Sequence, residues 1–209
     1  MPITIGAKRE SDFTDPIGML GDCHRRIERF LGVLATLAAE QQGRPLTEQH
    51  RTALATSLRY FREAAPKHTA DEEESLFPRL KQSNDADAQA LMARIDSLEQ
   101  DHECAARVHD EVDHLGQVWI HEGSLSPEQA SRMSTALDQL VHLYERHIAI
   151  EDSEVFPLAK ALLSATDCQS VGVEMAARRN LEHSTLHRAP ESPQSVPGPA
   201  SHSDHTERP

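Results

Sequence analysis

The residues of this chain best suited to chemistry are its histidines, of which there are 13 in 209 residues. Two segments repeat one pattern: HTADEEESLFP begins at His68, and HIAIEDSEVFP begins at His147. In both, a glutamate (Glu72 or Glu151) follows the histidine by four residues, and the same hydrophobic-Phe-Pro run comes after it. Side chains four residues apart share one face of a helix, and such His and Glu pairs build dimetal sites in helical bundles. The pattern therefore predicts a duplicated metal-binding helix.

Two further histidines lie in phase with this pattern. His24 precedes His102 by 78 residues, nearly the same distance that separates His68 from His147, so the chain is interpreted as two copies of one helical hairpin. Each of these residues interrupts an apolar stripe whose members recur in steps of three and four. The six polar residues predicted to point into one bundle core are His24, His68, Glu72, His102, His147 and Glu151.

Burying these six side chains, which we call the polar layer, is energetically unfavourable unless a bound partner neutralises and coordinates them. An uncompensated buried polar group costs several kcal/mol, whereas a whole domain is typically stable by only ~5–15 kcal/mol. A bound metal pair would provide the compensation. Imidazole and carboxylate ligands without sulfur suit iron or manganese and tolerate zinc. A buried polar network without metal is the alternative, and the two matching sets of residues disfavour it.

Four long helices must position these residues. Caps followed by proline at Asp15-Pro16 and Ser126-Pro127, and a cap at Thr47, mark three helix starts, and Pro66 predicts a kink. Short connections then predict an all-α, up-down-up-down four-helix bundle. The predicted helices span about residues 16–40, 47–81, 85–121 and 127–164.

The remaining segments complete a predicted domain organisation. Asp167 is the expected cap of a short fifth helix that runs through Arg179 and packs outside the bundle. The Pro/Ser-rich C-terminal segment is expected to be disordered. The predicted divisions are an N-terminal arm (1–14), the four-helix bundle (15–165), a short C-terminal helix (166–188) and the tail (189–209).

Composition excludes several classes of partner. Lys and Arg number 21 against 34 Asp and Glu, and the net charge of −13 disfavours nucleic acid and anionic membranes. No apolar stretch approaches the ~20 residues that span a bilayer, and the first 13 residues lack the apolar core of a signal peptide, so a cytoplasmic location is expected. Cys23, Cys104 and Cys168 are odd in number and widely spaced, which argues against disulfides or a thiolate zinc site.

At these residues the sequence resembles the hemerythrin-like family, the HHE cation-binding domain, over about residues 12–164. The LFP and VFP continuations also resemble that family. The resemblance implies two iron ions (Fe²⁺/Fe³⁺) with an oxo or hydroxo bridge, with manganese or zinc as alternatives. It further implies that one metal is held by His24 and His68, the other by His102 and His147, and that Glu72 and Glu151 bridge them.

The sequence departs from the oxygen-carrying members of the family at Ala106, where their third helix has a second histidine. Each metal would then have an open position, which favours bridging exogenous ligands and redox turnover. Glu103 is a candidate to fill the gap, although its position on the helix favours solvent. His109 is interpreted either as a proton-relay group or as an internal histidine bonded to a carbonyl. Tyr144 is interpreted either as a hydrogen-bond donor to a metal-bound oxygen or as a core tyrosine.

Three acidic residues beside the predicted ligands, Glu73, Glu74 and Asp152, are expected on the solvated face.

The favoured function is a cytoplasmic non-haem di-iron protein that binds or reacts with O₂, peroxide or nitric oxide, with no nucleic-acid or membrane partner. The alternative is an iron- or oxygen-responsive sensor, or a metal-binding protein without turnover. Whether the chain is an enzyme stays open at this point.

Overall fold

The structure is a computed structural model, and it describes residues 10–41 and 44–181. These residues are helical and contain no strand. The tail (189–209), the end of the C-terminal helix predicted to reach residue 188, and most of the N-terminal arm lie outside the described residues. The helical segments are α1 (Pro16–Gln41), α2 (Glu48–Glu63), α3 (Ala65–Asp71), π1 (Glu72–Leu76), α4 (Phe77–Lys81), α5 (Ala86–Ala90), α6 (Met92–Glu122), α7 (Pro127–Ile150), π2 (Glu151–Val155), α8 (Phe156–Leu162) and α9 (Ala165–Arg178).

These segments form the predicted all-α bundle. The first helix is α1, the second runs from α2 to α4, the third comprises α5 and α6, and the fourth runs from α7 to α8. Each helix packs against its neighbours in the chain, and α7 closes the bundle by packing against α1. Helix α9 lies outside, against α1 and α3. Four antiparallel helices joined by short connections adopt this arrangement because each buries its apolar stripe against two neighbours.

The helix starts follow from local hydrogen bonds. Ser126 caps α7 in a capping box with Gln129, so both of their side chains satisfy backbone N–H groups that the helix leaves free. The predicted cap of α9 was wrong by three residues. Ser164 is the cap, and Asp167 is its partner in the third helical position, where the carboxylate accepts from the Ser164 N–H at 3.1 Å.

Two π-helical turns interrupt the second and fourth helices, and the sequence analysis did not foresee them. Each begins at the glutamate of the repeated pattern, and the N–H of the residue five positions later, Phe77 or Phe156, donates to that glutamate's carbonyl. A proline follows each phenylalanine, at Pro78 and Pro157. Proline cannot donate to the carbonyl four residues earlier, and its ring clashes with that carbonyl, so the preceding turn widens.

Proline also accounts for the predicted kink at Pro66. The structure interrupts the second helix two residues earlier, at Ala64, which separates α2 from α3. Pro66 has no N–H to offer the carbonyl of Arg62, so the hydrogen-bond ladder breaks there. The interruption separates α2 from the segment that carries His68.

The apolar core consists of two clusters, one on each side of the predicted polar layer. One lies toward the connection between the second and third helices and the start of α9, and includes Leu20, Phe77, Leu98 and Val155. The other fills the opposite half of the bundle, with Ile27, Leu58, Ala105 and Leu140 among its members. Among the helices that the structure describes, none combines the length and apolar character needed to cross a bilayer.

The Ser126 cap provides a direct test of the fold. We expect Ser126→Ala to lower the free energy of unfolding by about 1 kcal/mol, because the first turn of α7 loses its side-chain acceptor. This corresponds to a fall in Tm of roughly 2–4 °C. The control is Ser131→Ala, at an exposed position inside α7 where alanine favours the helix. Equal effects of the two substitutions in thermal unfolding would contradict the cap.

Candidate metal centre

The structure brings all six predicted ligand residues together at mid-bundle. None of them is more than 9% exposed. They come from all four helices of the bundle, with one histidine each from the first and third helices and a His-Glu pair each from the second and fourth. The six are His24 in α1, His68 in α3, Glu72 in π1, His102 in α6, His147 in α7 and Glu151 in π2.

One group of potential ligands joins the first helix to both glutamates. The Nε2 atom of His68 lies 3.3 Å from Oε1 of Glu72. The Nε2 atom of His24 lies 3.1 Å from Oε2 of Glu151 and 3.9 Å from Oε1 of Glu72. These four residues can offer ligand atoms that all lie within 4.8 Å of one another, and so could hold a metal ion.

A second group uses the same two glutamates with the other histidines. The Nε2 atom of His102 lies 3.4 Å from Oε2 of Glu72, and Nε2 of His147 lies 3.2 Å from Oε2 of Glu151. The ligand atoms of this group also lie within 4.8 Å of one another. The two groups are therefore adjacent, and Glu72 and Glu151 belong to both.

The π-helical turns begin at the two shared glutamates. In each pair, a regular α-helical turn carries the histidine, and the wider π turn starts at the glutamate. Single π turns inside α-helices occur frequently at functional sites. A space of about 10 Å³ remains among the side chains, which is about the room that one water-sized atom needs.

The polar atoms of this layer lack partners, and this observation tests whether a metal fits. Both carboxylate oxygens of Glu72 and Glu151 are buried without a hydrogen-bond partner, as are the Nε2 atoms of His24 and His102. Buried unsatisfied polar atoms are rare, and each costs about 1–3 kcal/mol or more when charged. Cations between the imidazoles and the carboxylates would satisfy all of these atoms, so the residues fit the predicted metal pair.

The pKa shifts of Glu72, Glu151 and His24 also favour a metal ion in this layer. Burial raises the pKa of Glu72 well above its usual value, and the neighbouring Glu151 carboxylate raises it further. Burial opposes ionisation of Glu151 too, but contacts with His147 and His24 outweigh it and lower the pKa. Burial would lower the pKa of His24, yet Asp152 and Glu151 raise it to about 9. Without a cation, the layer therefore favours protonation of Glu72 and His24, and a bound metal ion would replace these protons.

Two carboxylates outside the layer orient two of the histidines. Asp152 Oδ1 lies 2.9 Å from Nδ1 of His24, and Glu73 Oε1 lies 2.8 Å from Nδ1 of His102. The prediction that these two acidic residues are merely solvated was wrong. A carboxylate that accepts from Nδ1–H leaves the Nε2 lone pair free to bind a metal. The sequence carries a signal for this role, because each carboxylate immediately follows a shared glutamate in the repeated pattern.

A buried ion cluster joins the C-terminal helix to the same region, and the sequence analysis missed it. Asp71 is fully buried, and its Oδ2 accepts from Nη2 of Arg179 at 2.6 Å, while its Oδ1 accepts from Nη1 of Arg178 at 3.0 Å. Arg178 also donates to Glu74, whose side chain is 67% exposed and lies at the surface as predicted. Asp71 directly precedes Glu72, so α9 is tied to the start of π1.

The contacts of Glu103, His109 and Tyr144 decide between the roles that the sequence left open for them. Glu103 is exposed on α6 and belongs to neither group of potential ligands. His109 Nε2 and the Tyr144 hydroxyl form a hydrogen bond of 3.0 Å, so each residue is the other's partner. Burial lowers the pKa of His109 to about 4, and it raises the pKa of Tyr144 above its usual value. Both side chains are therefore neutral at pH 7, and their hydrogen bond satisfies His109 Nε2 and the Tyr144 hydroxyl together.

Comparison with known proteins agrees with the geometry. The family described as "Hemerythrin HHE cation binding domain" matches residues 15–159, which include all six residues of the polar layer. The chain is also 30% identical over 170 residues to an uncharacterised protein of Haemophilus influenzae (strain ATCC 51907 / DSM 11121 / KW20 / Rd), a match that covers 81% of this chain and 93% of that protein. This chain therefore belongs to the hemerythrin family of HHE cation-binding domains.

Proposed function

We propose that this protein is a non-haem di-iron protein that binds or reacts with O₂, peroxide or nitric oxide. His24 and His68 would hold one iron, His102 and His147 would hold the other, and the carboxylates of Glu72 and Glu151 would bridge them. The observation that carries this proposal is the pair of buried ligand groups that share two carboxylates and leave their polar atoms without other partners. The three free cysteines are consistent with action in the reducing cytoplasm.

The side chains of this chain would have three tasks at such a centre. The two glutamates balance the charge of the metal pair, while Asp152 and Glu73 hold His24 and His102 with Nε2 facing the layer. Ala106 provides no donor, which leaves room for a ligand from outside the protein. When bound, iron would supply Fe²⁺/Fe³⁺ redox chemistry that these side chains lack.

The decisive experiment is the metal content of the aerobically purified chain, combined with its near-ultraviolet absorption spectrum. We expect about two iron ions per chain, because two ligand groups are present, and an absorption band that disappears on reduction. Zinc alone, or no metal after anaerobic incubation with Fe²⁺, would contradict the di-iron proposal. Consumption of peroxide or O₂ by the iron-loaded protein would then distinguish turnover from binding.

Substitution of the proposed ligands tests which residues bind. We expect His68→Ala and Glu151→Ala to lose metal and, with it, the stabilisation that metal provides, which is about 2.7 kcal/mol at a free metal concentration of 100 Kd. The control is His142→Ala, because the His142 side chain is 81% exposed and belongs to neither ligand group. Unfolding with and without added metal gives the readout. Full metal loading of both core variants would exclude this ligand assignment.

The carboxylates that orient the histidines give a finer test. Glu73→Gln keeps the shape of the side chain but removes the charge beside His102, so we expect metal affinity to fall by about 10–100-fold. Glu74→Gln changes the adjacent residue, which contacts Arg178 rather than a proposed ligand, and should leave metal affinity unchanged. Competition against a chelator measures both affinities. Identical affinities for the two variants would rule out an orienting role for Glu73.

A sensor is the second candidate, and the contact between α9 and Asp71 favours it. Arg178 and Arg179 donate hydrogen bonds to Asp71, which directly precedes Glu72. A displacement of Glu72 on metal binding would therefore also affect α9, and this helix could transmit the signal without a second domain. Ligand-dependent binding of a partner protein, without sustained turnover, would identify this function.

Amide hydrogen exchange tests the coupling between the proposed metal centre and α9. We expect the amides of α9 to exchange about tenfold more slowly in the metal-loaded chain than in the metal-free chain, because metal stabilises π1 and the arginines bound to it. A variant with both Arg178→Gln and Arg179→Gln should lose this difference. Arg107→Gln, at an exposed position on α6, should retain it. Unchanged exchange of α9 on metal loading would exclude the coupling.

A further inference from the structure

A cavity of about 310 Å³ lies beside the proposed metal centre, bounded by the second helix and α6. A buried water needs only about 10–15 Å³ of such space, whereas pockets for organic ligands begin at about 300 Å³. The cavity is therefore far larger than O₂ or nitric oxide requires. Most of its lining is apolar, including Leu58, Phe61, Ala65, Ala105 and Val112.

The inner end of this cavity reaches the metal layer. Ala65, Thr69, His102 and Tyr144 line both the cavity and the small space among the proposed ligands. A molecule in the cavity would thus lie against the side of the centre formed by His102. Two other cavities, of about 450 and 370 Å³, share no lining residue with this small space.

Two features of the sequence create the space. The interruption of the second helix at Ala64 is followed directly by Ala65 and Pro66, and both of these residues line the cavity. On the facing helix, Ala105 and Ala106 present small side chains to the cavity. Ala106 is the position at which a second histidine on this helix would project into the same region. Because residue 106 is alanine, this position offers no ligand to a metal, and the volume beside it stays open.

The charges around the cavity favour a neutral occupant. Arg62 and Asp113 line the cavity at partly exposed positions and pair with each other at 2.5 Å, so neither is a free partner for an ionic group. The third charged residue of the lining, Asp110, is exposed, so solvent screens its charge. Inside, the polar groups of His109 and Tyr144 are hydrogen-bonded to each other. A phenolic hydroxyl has one O–H donor and acceptor lone pairs, so the Tyr144 hydroxyl retains the capacity for a second hydrogen bond, with a ligand, besides the one to His109.

We propose that this cavity binds a small, neutral and largely apolar organic molecule, whose polar end lies toward Tyr144 and the His102 side of the metal centre. The inference deepens the proposed function, since it names the class of molecule presented to that centre. The apolar lining contacts the body of the ligand, and the Tyr144 hydroxyl forms a hydrogen bond with its polar end.

The test uses 4-isopropylbenzyl alcohol as the probe and the zinc-loaded full chain, in which no redox reaction consumes the probe. We expect saturable binding of one alcohol per chain by calorimetric titration. Ala106→Trp should weaken binding about tenfold or more, because the indole occupies the cavity opening. Its control is Ala55→Trp, at an exposed position on α2 that does not line the cavity. Tyr144→Phe should weaken binding about 3- to 10-fold through loss of one hydrogen bond, whereas Tyr60→Phe should not.

The outcomes separate this inference from the metal proposal. A chain that binds two zinc ions but shows no saturable alcohol binding overturns the inference and leaves the metal centre intact. Alcohol binding that neither Ala106→Trp nor Tyr144→Phe weakens also overturns it, because the probe then lies elsewhere. Failure to bind zinc or iron contradicts the proposed function, and titration of the metal-free full chain with the same variants still decides whether the cavity binds the alcohol.

Discussion

The structure depends on one constraint: two glutamates and four histidines lie in the interior of a helical bundle, where their charges and polar atoms need partners. Apolar clusters cover this layer from both sides and exclude the water that would otherwise solvate it. The side chains alone do not offset the free energy of this desolvation, because the carboxylate oxygens of Glu72 and Glu151 lie in the layer without hydrogen bonds. Cations held by the two ligand groups would resolve this imbalance, and the same burial that makes the layer unfavourable without metal would make metal binding favourable.

The duplicated hairpin meets this constraint by exchanging contacts between its two copies. His24 from the first copy is oriented by Asp152 from the second, and His102 from the second copy is oriented by Glu73 from the first. Neither hairpin alone contains a complete ligand group, since each group needs both glutamates. Assembly of the site and assembly of the bundle are therefore one event, which explains why loss of a ligand is expected to affect stability as well as metal content.

The two copies have diverged in what surrounds the layer, and these differences carry the functional proposals. Asp71 in the first copy corresponds to Ile150 in the second, so α9 has a buried carboxylate to bind on one side of the bundle only. The large cavity is equally one-sided, because the interruption at Ala64 and the small residue Ala106 coincide on the face next to His102. A symmetric polar layer thus lies in an asymmetric protein, with hydrogen bonds to the C-terminal helix on one side and a cavity on another.

The sequence alone determined the helices, the bundle and the six residues of the polar layer, because the period of the apolar stripes and the repeated His-Glu pattern are local properties that place side chains on helix faces. The π turns could also have been read from the sequence, since each follows from a proline six residues after a glutamate. Only the tertiary structure decided which neighbours face each other. Glu73 and Asp152 resembled surface carboxylates because their partners lie on other helices, and the Asp71 cluster joins residues more than 100 positions apart. The repeated position of Glu73 and Asp152 after a glutamate was a signal, but the partners of these carboxylates depend on how the helices pack.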